Sequence, residues 1–264
     1  MNAALSGQLL LAGGDPVDAN NWYSALIAFK STLIGGSERA LAASAISQIE
    51  QARDKSVLLA DIGASDCRNT KKILEATPRG LRGYELVTVD PDIDAAARTP
   101  ADVNIRQHFA GRFEDLEAEE KSLADVILFS HSLYYFAEPV AVLERAAHLV
   151  RPGGRIVVAM WDAKCDLRLV TNRLFARQVP AVGAFELHKM VRHIGELQWH
   201  GTWRGRVDFS AWRTSPAVAR AACAILSRNF VDLQRSDEQR LRDALIGFGS
   251  DGVRENSVFS IGVP

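Results

Sequence analysis

From residue 57 onward the chain alternates short, continuously apolar runs with amphipathic stretches, and nothing else in the sequence constrains the fold as strongly. The runs are VLLADIG (57–63), ELVTVD (85–90), ADVILF (124–129) and RIVVAMW (155–161), with helical periodicity near 69–76 and 139–149. A strand that is apolar on both faces must be covered on both faces. Strands that alternate with helices pair in parallel through crossover connections. The expected fold is α/β, a doubly wound and mostly parallel sheet.

The flanks read differently. Residues 1–55 hold no convincing strand; Trp22, Leu26, Phe29 and Leu33 recur at helical spacing, and after the Gly35-Gly36-Ser37 break a second run extends from Leu41 to Ile49. This segment is expected to be an N-terminal helical lid on a main domain of residues 56–264. Ser37 and Glu38 suit the start of its second helix. Residues 162–250 are mostly helical by pattern, interrupted by LQWHGTWRGRVDF (197–209), while NSVFSIGV (256–263) reads as a terminal strand. Trp199, His200, Trp203, Arg204 and Arg206 fit either a surface for stacking nucleobases or alternate positions of one half-buried strand. The strand is favoured, because charge does not support the alternative.

Lys and Arg total 31 against 32 Asp and Glu in 264 residues, so no basic field exists to hold a phosphate backbone. Nucleic acid is not an expected partner. No apolar stretch reaches the roughly 18 residues of a membrane span, and the first residues have no basic flank before their apolar run. A cytoplasmic protein, monomeric or homodimeric, is expected. Cys67, Cys165 and Cys223 lack metal-clipping spacing and read as reduced thiols, so no metal is expected.

The sharpest local signal is Ala60-Asp61-Ile62-Gly63-Ala64-Ser65-Asp66-Cys67-Arg68-Asn69-Thr70, a strand running into small residues and then into a helix. Small residues let a ligand approach the backbone, and the helix start offers free amides. Asp90 closes the next strand, where a carboxylate accepts hydrogen bonds from both ribose hydroxyls of a nucleoside. A dinucleotide fold wants G-x-G-x-x-G; here Gly63, Ser65 and Cys67 hold the small positions behind an acidic Asp61. An acid there repels a pyrophosphate but orders the ammonium side of a methionine moiety. S-adenosylmethionine is thus the expected cofactor.

These residues, with Phe113-Glu114-Asp115 after them and Arg151-Pro152-Gly153-Gly154 before the fifth strand, resemble class I S-adenosylmethionine-dependent methyltransferases. The resemblance implies a Rossmann-like fold, with Asp61, Gly63, Ser65, Asp90, Phe113, Glu114 and Ser130 at the cofactor. Within that superfamily the chain is most similar to histamine N-methyltransferases, over nearly its whole length. The closer likeness rests on the N-terminal helical segment with Glu38, on Leu133-Tyr134-Tyr135, on Asn256-Ser257, and on a helical insert ending near Phe230. It implies a small-molecule amine acceptor contacted by Glu38, Tyr135 and Asn256. Asp166-Leu167-Arg168-Leu169 stands where that family is rich in aromatic residues.

Several residues carry a plainer reading beside the functional one. Asp90 before Pro91 suits a helix N-cap; one of Tyr134 and Tyr135 is expected in the core and the other toward substrate. His131 is either a hydrogen-bonded structural group or a general base, and Glu38 either an exposed helix start or an amine contact. Asn256, at the head of a strand, needs partners for its amide, from substrate or from a neighbouring carbonyl. Two other activities share the fold: use of the cofactor's aminocarboxypropyl arm, releasing methylthioadenosine, and binding of the nucleoside without turnover.

Overall fold

A computed structural model of the chain describes residues 9–10, 16–17, 29–30, 32–34, 38–50, 56–117, 123–162, 164–174, 182–226 and 236–264. The chain divides into two compact units: residues 37–163, 182–203 and 256–264 form one, and residues 1–36, 164–181 and 204–255 the other.

The larger unit begins with α1 (Arg39–Glu50), β1 (Val57–Ile62), α2 (Arg68–Glu75), β2 (Tyr84–Asp90) and β3 (Ile105–Ala110). It continues with β4 (Ala124–Ser130), α3 (Pro139–Leu149), β5 (Val150–Trp161) and α5 (Ala184–Met190), α4 (Asp166–Leu174) lying in the other unit. Two long strands, β6 (Glu196–Asp208) and β7 (Asp251–Gly262), extend the sheet, whose order is β6-β7-β5-β4-β1-β2-β3 with the two-residue strand Leu33–Ile34 paired to the outer edge of β6. From β5 to β3 all neighbours are parallel, and β7 runs antiparallel to β5.

Every residue of β1 is buried, Asp61 along with its five apolar neighbours. Beside it α1 turns Ala42, Ala45 and Ile46 inward, fully buried in one cluster with Leu59, Val126, Leu128 and Val157 of the sheet. Alanines let the helix lie close to the strands, and burying a side chain the size of Ile46 contributes about 1.5–3 kcal/mol. From β1 the chain moves outward first to β2 and β3, then returns to β4 on the other side. The order therefore reverses between β1 and β4, and open α/β sheets bind ligands at the carboxyl ends of such strands.

Three features differ from the sequence reading. β3 (IRQHFA) went unforeseen because an edge strand carries a polar face, and Arg106 and Gln107 are exposed. The Arg151–Gly154 turn lies inside β5: pairing to β4 jumps from Ala124↔Val150 to Val126↔Arg155, so these residues bulge out. Glycine is required at that bulge, since a Cβ on Gly154 would sit 2.6 Å from the Asp125 carbonyl oxygen. Two-residue strands occur in the N-terminal segment at Leu9–Leu10, Pro16–Val17 and Leu33–Ile34. In the division into compact units α1 belongs with the sheet, and residues 1–36 belong to the other unit. Trp22, Leu26, Ser37 and Phe230 lie outside the described residues, as does most of the expected lid.

In the smaller unit, α4, α6 (Phe209–Thr214), α7 (Pro216–Leu226) and α8 (Ser236–Ala244) supply the helices expected for 162–250. Trp212, fully buried, packs on Phe29 and Phe209 with ring centroids 5.8 and 5.0 Å apart, and its indole donates to the Thr32 hydroxyl. The 197–209 segment is a strand as expected, with Arg204 and Arg206 paired to Glu255 and Asp251. Among the described residues no helix is long and apolar enough to cross a membrane.

Candidate functional site

The carboxyl ends of β1, β2 and β4 bring the sequence-derived cofactor residues to one edge of the sheet. Gly63 leaves β1 at a φ of 76°, its N–H donating to the Val89 carbonyl, and a Cβ there would lie 2.6 Å from Cβ of Ser132. No other residue fits this turn without displacing the loop after β4. Ser65, Cys67 and His131 also have positive φ and are the only non-glycine residues among those described that do. These conformations gather at the carboxyl ends of β1 and β4, the edge at which open α/β sheets bind their ligands.

Asp90 organises the loop. One carboxylate oxygen accepts the Ser65 N–H at 2.7 Å and the other the Asp92 N–H at 2.9 Å. No α-helix follows, only a 3-10 turn at Ala96–Arg98, so the expected N-cap role is replaced by these two amides. Asp61 is buried and accepts the Thr70 hydroxyl. Burial pushes its carboxyl from 3.8 up to about 7; Thr70 opposes the shift and the charge of Asp90 adds to it. Burial likewise pushes the Cys67 thiol up to about 12, which leaves no thiolate for nucleophilic chemistry.

The Asp61 carboxyl keeps its proton to about pH 7 in the folded protein and releases it near 3.8 when unfolded. Between those values the folded state binds the extra proton, so this group's contribution to stability falls as pH rises through the window. Asp61→Asn removes the titration. Urea midpoints measured across that window are expected to fall less steeply for the variant than for the parent; parallel profiles would contradict the raised carboxyl.

The remaining cofactor-side residues are placed as follows. The Ser130 hydroxyl accepts from the Asn69 amide at 2.7 Å, and Asn69 accepts in turn from Arg39. The Phe113 ring is buried edge-on against Phe129 and Phe136, while the Glu114 carboxylate pairs with Arg112 at 2.8 Å. The buried Ser132 hydroxyl, beside Gly63, has no hydrogen-bond partner. A glycine turn with no room for Cβ, an acidic residue closing the neighbouring strand and an unsatisfied buried hydroxyl together fit a nucleoside with a polar amino-acid arm.

Three of the four acceptor-side candidates converge. Glu38, only 3% exposed, accepts from His131 Nε2 at 2.7 Å and from the Asn256 amide at 2.8 Å. This excludes the reading of Glu38 as an exposed helix start. Burial works against its ionisation, but the attraction and hydrogen bond of His131, helped by Asn256, outweigh it and hold the carboxyl at about 2. Asn256 opens its pairing with β5 opposite Trp161, and its buried Oδ1 has no partner. Tyr135 stands outside this hydrogen-bonded group, edge-on to Tyr134 and 40% exposed, while Tyr134 is the buried member of the pair.

Sequence reasoning did not assign Asn69, Thr70, Ser132 or Trp161 to the site. The available signal was positional, since each follows or ends an element whose carboxyl edge was already in view.

A model of a methyltransferase domain family matches residues 39–216. No curated protein matches the sequence. The YcgJ protein of Bacillus subtilis is similar in structure at a TM-score of 0.58 and 13% identity, covering 84% of this chain and 98% of that one. A methyltransferase-titled structure from Bacillus halodurans gives 0.56 at 11% identity, covering 84% and 99%. One titled a sarcosine dimethylglycine methyltransferase, from Galdieria sulphuraria, gives 0.51 at 13%, covering 84% of each. Likeness at such identity speaks for the fold, and the family match covers more than half of the chain. The chain belongs to the methyltransferase domain family and is an S-adenosylmethionine-dependent methyltransferase with a Rossmann-like α/β fold.

Proposed function

We propose that this enzyme methylates a nitrogen of a small amine or imidazole-type acceptor. The observation that carries the reading is Glu38, a buried carboxylate held ionised at the ligand edge of the sheet, with the unpartnered Asn256 Oδ1 beside it. An ionised group in such a place is stabilised further by a cation, and a free acceptor oxygen suits an N–H donor. Glu38, Tyr135 and Asn256 are also the positions on which the resemblance to histamine N-methyltransferases rests. Asp166-Leu167-Arg168-Leu169 departs from that family's aromatic stretch, so the proposal names a class of acceptor and not histamine itself.

When bound, S-adenosylmethionine supplies an electrophilic methyl group on a sulfonium. In this reading Asp90 holds the ribose hydroxyls, Asp61, Gly63 and Ser65 hold the methionine side, Ser130 lines the site by its backbone, and Phe113-Glu114 lies beside the adenine. Tyr135 supplies an aromatic wall, and Glu38 with Asn256 sets the acceptor nitrogen in line. Orientation and exclusion of water supply much of the acceleration for an already activated electrophile. An ammonium acceptor must first lose a proton; Glu38, at about 2, holds the charge but is too weak a base to keep that proton, which passes to water.

The test incubates the purified full chain with S-adenosylmethionine, alone and with a panel of amines, imidazoles and amino acids, and identifies nucleoside products by mass spectrometry. S-adenosylhomocysteine that appears only with an amine or imidazole supports the proposal. Methylthioadenosine formed without any acceptor would replace it with use of the aminocarboxypropyl arm.

A further inference from the structure

The hydroxyl of Tyr134 meets two partners at once. It accepts the backbone N–H of Trp161 at 2.7 Å and lies 2.6 Å from Nδ1 of His131, whose Nε2 is the atom facing Glu38. Ring stacking on Trp161, with centroids 4.3 Å apart, fixes the phenol further. The backbone at His131 is held at a φ of 59°, so its ring is aimed by a conformation that few residues adopt.

Counting donors and acceptors gives one self-consistent arrangement for a neutral imidazole. An ionised Glu38 can only accept, so Nε2 carries the hydrogen. Nδ1 is then an acceptor, and the Tyr134 O–H donates to it while its oxygen takes the Trp161 N–H. We propose that Tyr134 is a positioning residue that holds the His131 ring with Nε2 as a rigid donor to Glu38 and, whenever the ring is neutral, fixes it as the Nε2–H tautomer. This deepens the reading of Glu38 as the acceptor's anchor and rests on it. Because Tyr134 covers Nδ1, no bare imidazole nitrogen faces the acceptor, and the expectation that His131 acts as general base gives way to an orienting role.

The test reads the tautomer directly, by nitrogen NMR of the full chain labelled at histidine, with His131 identified by the signals lost in His131→Gln. Read at a pH where the ring is neutral, the expected parent spectrum has His131 protonated at Nε2 and bare at Nδ1, and Tyr134→Phe shifts its Nδ1 signal while leaving the other histidines in place. A neutral parent His131 protonated at Nδ1 and bare at Nε2, or a His131 spectrum untouched by Tyr134→Phe, overturns the proposal. If Tyr134→Phe does not fold, the parent spectrum alone decides.

A kinetic arm uses the glutamine of His131→Gln, which keeps a donor for Glu38 but has no counterpart of Nδ1. Tyr134→Phe is expected to lower kcat/KM roughly tenfold in the parent and to add nothing in the His131→Gln background. Equal losses in both backgrounds would assign Tyr134 a purely structural role. The NMR result stands whether or not the acceptor is an amine, so failure of this inference and failure of the proposed function are distinguishable.

Discussion

Glu38→Gln is expected to bind S-adenosylmethionine as tightly as the parent while kcat/KM for the amine acceptor falls about 150- to 5,000-fold. The carboxylate has two buried donors, one on each oxygen, from His131 and Asn256. A glutamine offers only one oxygen to them, and its NH₂ must face the other donor. The variant thus removes the charge that a cationic acceptor meets and leaves one buried N–H without an acceptor. Breaking a buried charged pair from one side costs about 3–5 kcal/mol, which sets the size of the effect. Cofactor affinity by calorimetry and steady-state kinetics with the acceptor separate the two sides of the site. Unchanged acceptor kinetics would remove Glu38 from the mechanism.

Asp90→Asn is expected to weaken S-adenosylmethionine binding about 100-fold, measured by calorimetry. The carboxylate is 8% exposed and already orders the Ser65 and Asp92 amides, leaving a further lone pair on each oxygen for the ribose hydroxyls. Hydrogen bonds to a charged group contribute about 1.5–3 kcal/mol each, and an amide neither carries the charge nor accepts on both atoms. The same change loosens the loop at Ser65, whose φ of 51° needs an anchor. Affinity within about threefold of the parent would mean that the nucleoside is held elsewhere.

β1, β2, β4 and β5 were legible because a strand covered on both faces leaves a mostly apolar run, as Val57–Ile62 does around Asp61. Polar β3 was not legible, because one neighbour and an exposed face leave Arg106 and Gln107 with no apolar pattern to show. The Arg151–Gly154 segment announced a turn correctly but not its place, since a bulge within β5 depends on the register of β4 beside it. Trp199 and His200 read as a strand in the sequence and stand in one.

For the candidate site the division is similar. Gly63, Ser65 and Asp90 were visible because local chemistry dictates them: a tight exit from a strand needs small residues, and the Asp at the end of the next strand follows at its own place in the chain. Glu38, His131, Tyr134 and Asn256 were visible only as isolated residues, each with a plainer reading beside the functional one.

The sequence by itself determined the alternation that makes the α/β sheet and the small-residue turn at its switch point, because both follow from burial and backbone sterics between near neighbours. Only the tertiary structure decided that Glu38 is buried, that its partners are His131 and Asn256, and that Tyr134 faces His131 while Tyr135 stands aside. Those contacts join the start of α1, the loop after β4 and the seventh strand. Protonation states and hydrogen-bond direction depend on which groups meet in space, and no periodicity along the chain encodes a meeting between residues so far apart in it.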